Sequence, residues 1–168
     1  MKSKINFTAI LFFLLINFSI AQNYKTGIGI RLGGLSNGLS FRHFINDDSA
    51  IEGIIGFAHH STILTCLYEK FKPIEKAEGL KWFYGGGAHL GFWRYGGYYY
   101  MYKEHGDHIY VVEEGESRAV FGLDFIIGMD YKFKNAPLNI GLDIKPVFDF
   151  YNGVESYFDG AFSFRFVF

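Results

Sequence analysis

Two short stretches of the sequence carry side chains that could do chemistry, and the first is His59, His60 and Ser61. A histidine beside a serine is the pairing that activates a serine nucleophile in esterases. However, adjacent residues at a strand end point to opposite faces, and no fixed motif surrounds the three. A polar loop is the simpler interpretation. We therefore predict no catalytic residue and no enzyme.

The second stretch is His105, Asp107 and His108, whose side chains are of types that bind metal ions. Three candidate ligands within one turn, with no second pair, indicate a zinc site only weakly. The single cysteine, Cys66, excludes a multi-cysteine zinc site and an intramolecular disulfide, and we expect it to pack as a small apolar residue. We predict solvated turn residues here, with no metal and no cofactor.

The elements that must position these residues are strands. The chain has 168 residues, with 20 Phe, 12 Tyr and 21 Gly, and aromatic residues fit a pleated surface. Apolar and polar residues alternate with a period of two, which is typical of strands with two different faces. The formal net charge of −1 gives no polybasic region, so we predict no nucleic acid partner. The eight predicted strands are 27–33, 39–45, 50–57, 63–71, 80–94, 121–133, 138–150 and 158–168.

The two faces of these strands must be assigned to an inside and an outside. Alternation alone fits a soluble eight-stranded barrel with an apolar interior, as in lipocalins. Five phenylalanines on one face of the last strand, repeated around eight strands, would overfill such an interior. Lys145 or Arg165 facing lipid would cost up to about 2–4 kcal/mol each near the bilayer midplane. The sequence therefore predicts a transmembrane barrel with charges inward and aromatics outward.

The predicted inward face carries charges of both signs. One hypothesis is a proton or ion pathway, and the other is a plug of paired charges that keeps the lumen closed. An eight-stranded lumen is just wide enough to be filled by side chains, which favours the plug. The inward set is Arg31, Arg42, Glu52, Glu69, His89, Asp124, Asp130, Asp143, Lys145 and Arg165.

The N-terminus has the pattern of a secretory signal peptide. Lys2 and Lys4 precede an apolar run over 7–20, and Ser19 and Ala21 supply small residues at a cleavage site. The run is shorter than the roughly 20 residues that a membrane-spanning helix needs. We predict a signal peptide at 1–21 and one barrel domain at 22–168.

The predicted connections alternate between short polar turns and longer loops, as in transmembrane barrels. Within the long connection 95–118, two β-prone runs around a Gly-containing turn predict a hairpin that projects from the barrel. Tyrosine is suited to recognition surfaces, so we predict that this hairpin contacts an unknown external partner. Its candidate contact residues are Tyr98, Tyr99, Tyr100, Tyr102 and Tyr110.

These features resemble the small eight-stranded outer-membrane β-barrel proteins of Gram-negative bacteria. The stretches 82–89 (WFYGGGAH) and 142–146 (LDIKP) are similar to one poorly characterised subgroup of them. The resemblance implies that Phe164, Phe166 and Phe168 are the recognition signal for the barrel-assembly machinery, although Ser163 stands where a glycine is often found. It also implies contact with outer-membrane lipid and lipopolysaccharide.

The sequence thus predicts an all-β protein, an eight-stranded antiparallel up-and-down barrel in the outer membrane. We expect a monomer with both termini in the periplasm, a closed polar lumen and a structural or surface-interaction role. Two alternatives stay open: a lipid-modifying enzyme that acts on lipid A as an esterase or acyltransferase, and a secreted lipocalin-like carrier. Pro146 is awkward within a closed barrel, and we expect a bulge there near the outer rim.

Overall fold

A computed structural model of the protein describes residues 24–35, 37–58, 61–94, 99–104, 107–112, 117–150 and 153–168. Within these ranges there is no helix long and apolar enough to cross a membrane. The strands of the described chain are β1 (Thr26–Gly33), β2 (Asn37–Asn46), β3 (Ser49–Ala58), β4 (Ser61–Pro73), β5 (Leu80–Arg94), β6 (Tyr99–Glu104), β7 (Asp107–Val112), β8 (Ser117–Lys132), β9 (Leu138–Phe150) and β10 (Val154–Val167).

Eight of these strands close into one antiparallel barrel in the order β1-β10-β9-β8-β5-β4-β3-β2. The predicted fold, an eight-stranded antiparallel barrel, is confirmed. Strands β6 and β7 pair only with each other and form a separate two-stranded sheet. Because β5 pairs directly with β8, the barrel closes without this sheet.

The barrel is closed by its first and last strands. Gly27 pairs with Val167 at one end of this seam, and Gly33 pairs with Ala161 at the other. Beyond the seam, the Thr26 amide donates to the Phe168 carbonyl at 3.0 Å, and the Phe168 amide donates to the Thr26 carbonyl at 2.9 Å. We call this the terminus end of the barrel. The opposite end, where β5 and β8 flank the β6–β7 sheet, is the hairpin end.

Side chains alternate between the two faces of the barrel wall. On the outer face, large apolar side chains are exposed, as Phe158 (72%) and Leu142 (62%) illustrate. On the inner face, charged side chains are buried, with Arg31 1% and Glu52 0% exposed. The barrel therefore has the reverse of a soluble protein's distribution, with aromatics outward and charges inward.

The expectation of a bulge at Pro146 is wrong. On one side of the proline, Asp124 of β8 pairs with Val147, and on the other side Ile127 pairs with Ile144, in the same register. Pro146 pairs with Phe158 of β10 but has no paired residue in β8. Proline has no backbone N–H, and the barrel accommodates this by interrupting the β8–β9 pairing at Pro146. No extra residue is inserted, so there is no bulge.

Cys66 lies on the outer face of β4, where it is exposed. The expectation that it packs as a small apolar residue is wrong, because residue 66 shares the outward parity of Leu64 and Tyr68. Its neighbours across the strands are Gly53 and Ala88. The thiol therefore lies in a band of small residues on the outer wall.

Candidate functional site: the lumen charges and the cavity beside them

All ten charged residues of the predicted inward set lie in the lumen. Each belongs to a barrel strand, and each is at most 6% exposed. The barrel brings together residues that are distant in sequence, because the inward-facing side chains of every strand point into the same narrow lumen. They form three groups along the barrel axis.

The group nearest the terminus end is built around Arg42. Its guanidinium donates to Glu52 from Nε at 3.0 Å and from Nη2 at 2.6 Å, and to Asp130 from Nη1 at 2.7 Å. Its Nε also lies 2.9 Å from Glu69 Oε2. Arg165 approaches from the other side and donates from Nη2 to Glu52 at 2.6 Å. Two guanidinium groups thus serve three carboxylates, which is the pairing that buried charges require.

Two neutral residues complete this group. The Ser40 hydroxyl donates to Glu52 at 2.5 Å and accepts from Arg165 Nε at 2.8 Å. The Asn139 amide donates to Asp130 at 2.5 Å. These contacts occupy carboxylate lone pairs that the guanidinium groups leave unused.

Aromatic rings pack beneath the Arg42 group. Phe71 lies between Phe44 and Phe83, with ring centroids 4.9 and 5.1 Å apart, and the Arg42 guanidinium lies 5.0 Å above the Phe71 ring. Tyr24, which precedes β1, meets Phe44 edge-on at 5.4 Å. Burial, and secondarily the charge of Asp130, raises the pKa of the Tyr24 phenol well above its ordinary value. The phenol therefore stays neutral where it covers the rings.

Arg31 forms the middle group. Its guanidinium makes two parallel hydrogen bonds to Asp143, one of them from Nη2 at 2.7 Å. Nη2 also lies 3.8 Å from Asp159, whose Oδ1 accepts from the Leu35 amide at 3.1 Å. This bidentate geometry is the strong form of an arginine–carboxylate pair.

The group nearest the hairpin end contains the lumen histidine. His89 Nδ1 lies 2.7 Å from Asp124 and its Nε2 lies 2.9 Å from Asp149, while Lys145 bonds to the other oxygen of Asp124. Gly122 leaves room for this ring, since a Cβ there would lie 2.2 Å from its Cε1. Both ring nitrogens face carboxylates, so neither is available as a general base.

The structure describes only some of the candidate catalytic and metal-binding residues. Ser61 is buried, and its Oγ hydrogen-bonds to no described residue. His59 and His60 lie outside the described residues, as do His105 and Tyr98. For Tyr99, Tyr100, Tyr102, Asp107, His108 and Tyr110 the structure describes strand pairing alone.

Two cavities flank the packed centre of the lumen. A cavity of about 520 Å³ opens toward the hairpin end, between apolar residues of β3, β4, β8 and β9 and the polar groups around His89. A second one of about 440 Å³ lies at the terminus end, beside Tyr24 and Lys132. The Arg42 group and the three phenylalanine rings lie between the two.

Sequence reasoning missed several lumen residues. Asp149 and Asp159 follow the inward parity of their strands and could have been found from it. Phe44, Phe71 and Phe83 could not, because phenylalanine is also the commonest residue of the outer wall.

No protein-family model and no curated protein matches the sequence. Solved structures similar to it include two β-barrels. The N-terminal β-barrel domain of Pseudomonas aeruginosa OprF superposes with a TM-score of 0.66 at 12% identity, covering 87% of this chain and 98% of that one. Neisserial surface protein A (NspA) gives a TM-score of 0.53 at 13% identity, covering 86% and 95%. The chain shares their fold. The predicted resemblance to small eight-stranded barrel proteins is confirmed at the level of the fold.

Proposed function

We propose that this protein is an integral outer-membrane barrel that anchors an exposed hairpin and neither conducts nor catalyses. The observation that carries the proposal is the inverted distribution of side chains. An outer wall of exposed phenylalanine, leucine and isoleucine surrounds the barrel, and the charges inside are paired. An apolar wall of this extent is stable only against lipid.

The inner face argues against the secreted carrier. A lipocalin-like barrel needs an apolar interior that meets its cargo. Here four cationic and seven carboxylate side chains of the described chain are buried on that face: Arg31, Arg42, Lys145, Arg165, Glu52, Glu69, Asp124, Asp130, Asp143, Asp149 and Asp159. The interior is that of a filled membrane barrel.

The outer wall near the terminus end has the features of a membrane interface. Trp82 stacks on Tyr84 at 5.3 Å, and the Lys72 ammonium lies 5.6 Å above the Trp82 ring. Tyr131 packs against Phe133 at 5.0 Å. Aromatic rings and lysines that reach toward water mark the headgroup region of a bilayer. This belt supports a membrane interface at the terminus end. The short connections at that end, between β2 and β3 and between β8 and β9, support an orientation with both termini in the periplasm and the hairpin outside.

The lumen charges serve as a plug in this proposal. The Arg42 group and the rings of Phe44, Phe71 and Phe83 fill the space between the two cavities. Planar bilayers that contain the refolded protein should therefore show no stable, large channels. Reproducible channel steps that require the folded barrel would contradict the plug.

The contacts of His89 favour a non-catalytic role over a lipid-modifying enzyme. Its two nitrogens are held by Asp124 and Asp149, so it does not activate a nucleophile. We expect the lipid A of cells with and without the gene to have identical masses. An acyl group gained or lost only in the presence of the gene would establish the enzyme instead.

Membrane extraction tests the integral placement directly. The protein should stay in the membrane fraction in alkaline carbonate and in high salt, and should require detergent for release. On gels, the unboiled sample should migrate differently from the boiled one, because closed barrels resist unfolding in detergent. Release by carbonate alone would refute the membrane barrel and favour the carrier.

A further inference from the structure

The cavity at the hairpin end has a feature that a structural plug does not need. Asp149 of β9 and Glu155 of β10 are direct cross-strand partners. Both line the cavity. Two like charges in directly opposed positions destabilise an antiparallel pair. Their repulsion is relieved when a cation lies beside them.

Arg31 and Lys145 also line this cavity, and each is paired with a carboxylate outside the acidic pair. Arg31 is held by both oxygens of Asp143, and Lys145 is held by Asp124. Among the described residues, His89 is the titratable base beside the acidic pair, with its Nε2 2.9 Å from Asp149 Oδ1. The net charge of the pair is therefore negative even when the imidazole is protonated.

Asp149 itself is buried, with 6% of its surface exposed, and its Oδ1 lies beside the His89 ring nitrogen. Tyr157 occupies part of the same carboxylate through its hydroxyl. Within the described chain, Glu155 has no ion pair and is exposed to the cavity. The two carboxylates therefore present an excess of negative charge to the cavity.

Much of the remaining lining of the cavity is apolar. Ile54, Ile63, Val120 and Val147 line it, and Trp93 lies at the same end. The indole folds back over Gly91, where a Cβ would lie 2.9 Å from its Nε1. The volume of about 520 Å³ is within the range of small-molecule sites.

We propose that this cavity binds a small organic ammonium ion with an apolar body. The ammonium group lies between Asp149 and Glu155 and donates to both carboxylates, while the apolar body packs against the isoleucine and valine wall. Charge-assisted hydrogen bonds at one end and apolar burial at the other set the ligand class. An anion of the same shape is excluded by the acidic pair.

Two probes that share a ring and differ in charge test this inference. The refolded, ¹⁵N-labelled barrel in detergent micelles is titrated with phenethylammonium and, separately, with phenylacetate. Phenethylammonium should shift the indole N–H resonance of Trp93 and the amides of Gly91 and Val120 in a saturable manner. Phenylacetate should not. Equal binding of both probes, or no saturable shift with phenethylammonium, would overturn the proposal.

Amino-acid substitutions test whether phenethylammonium binds at the acidic pair. Glu155→Gln and Asp149→Asn should each weaken phenethylammonium binding about fivefold or more, since each removes one charge contact. Ala58→Trp, which fills the cavity, should abolish it. Glu78→Gln, at an exposed carboxylate of the terminus end, is the matched control and should bind as the parent does. Unchanged binding by both Glu155→Gln and Ala58→Trp would place the probe elsewhere and refute the site.

A stability measurement keeps the test independent of any one variant's folding. Without ligand, Glu155→Gln should unfold at higher urea than the parent, because the like-charge pair is gone. At the same concentration, phenethylammonium should raise the urea midpoint of the parent more than that of Glu155→Gln. If methylammonium raises the midpoint as much as phenethylammonium, the site recognises charge alone and the apolar part of the proposal is wrong.

Discussion

The α-carbon of Gly87 in β5 lies directly against the carbonyl oxygen of Cys66 in β4, so that a Cβ added at Gly87 would lie 1.9 Å from that oxygen. Glycine in a strand marks a close approach between backbones. This contact lets β4 and β5 approach closely in a barrel of only eight strands.

Gly87→Ala should therefore impair barrel formation, whereas Gly86→Ala should not. The neighbouring Gly86 is the matched control, because a Cβ there would lie 3.4 Å from its nearest atom, which is an ordinary contact. We expect Gly87→Ala to lower the yield of heat-modifiable protein in refolding experiments, and Gly86→Ala to refold as the parent does. Equal yields would show that the strands separate without penalty.

Arg42 is the residue on which the terminus-end group depends. Arg42→Met should lower the free energy of unfolding by about 3–5 kcal/mol, because it leaves Glu52, Glu69 and Asp130 with fewer cations in a buried site. Urea unfolding in lipid vesicles measures the change. Lys134→Met is the control: its pairing with Glu78 is exposed, so its loss should have little effect. A small effect of Arg42→Met would mean that water reaches the group.

Period-two alternation predicted the strands and the inward side of Arg31, Arg42 and Lys145, because the pleat of a strand fixes which face each side chain takes. It could not predict the pairs themselves. Arg42 and Asp130 are 88 positions apart, and their contact depends on how the barrel closes and staggers its strands. The inward phenylalanines and the cavity above His89 depend on the same closure.

Cys66 provides a test of membrane embedding without any substitution, since it is the single cysteine and lies on the outer wall near the middle of β4. In lipid vesicles a charged thiol reagent should fail to modify it, because the reactive thiolate does not form in lipid. The charged reagent should react fully once the protein is unfolded in urea. Rapid modification of the folded protein by the charged reagent would indicate a wall that faces water.

Phe168 combines a backbone role with a side chain that is 55% exposed. Its amide and carbonyl close the seam with Thr26, and Phe168→Ala keeps both groups. If the side chain is an assembly signal, Phe168→Ala should refold normally in detergent and yet accumulate less in the outer membrane of cells. Phe158→Ala, which removes an exposed phenylalanine of the same outward parity within β10, is the matched control and should assemble normally. A parallel loss of refolding in vitro would make Phe168 a structural residue only.

The β6–β7 sheet is separable from the barrel. Since β5 pairs with β8 from Leu80↔Tyr131 to Arg94↔Ser117, the chain between them adds no strand to the closed wall. Deletion of residues 98–112 should leave heat-modifiability, carbonate resistance and the urea midpoint unchanged. The same deletion should abolish binding to whatever surface partner the intact protein retains on cells. Replacing Tyr98, Tyr99, Tyr100, Tyr102 and Tyr110 by serine should have the same effect if the tyrosines form the contact, and serine keeps the length of the segment. Loss of folding on deletion would show instead that the segment is part of the barrel's structure.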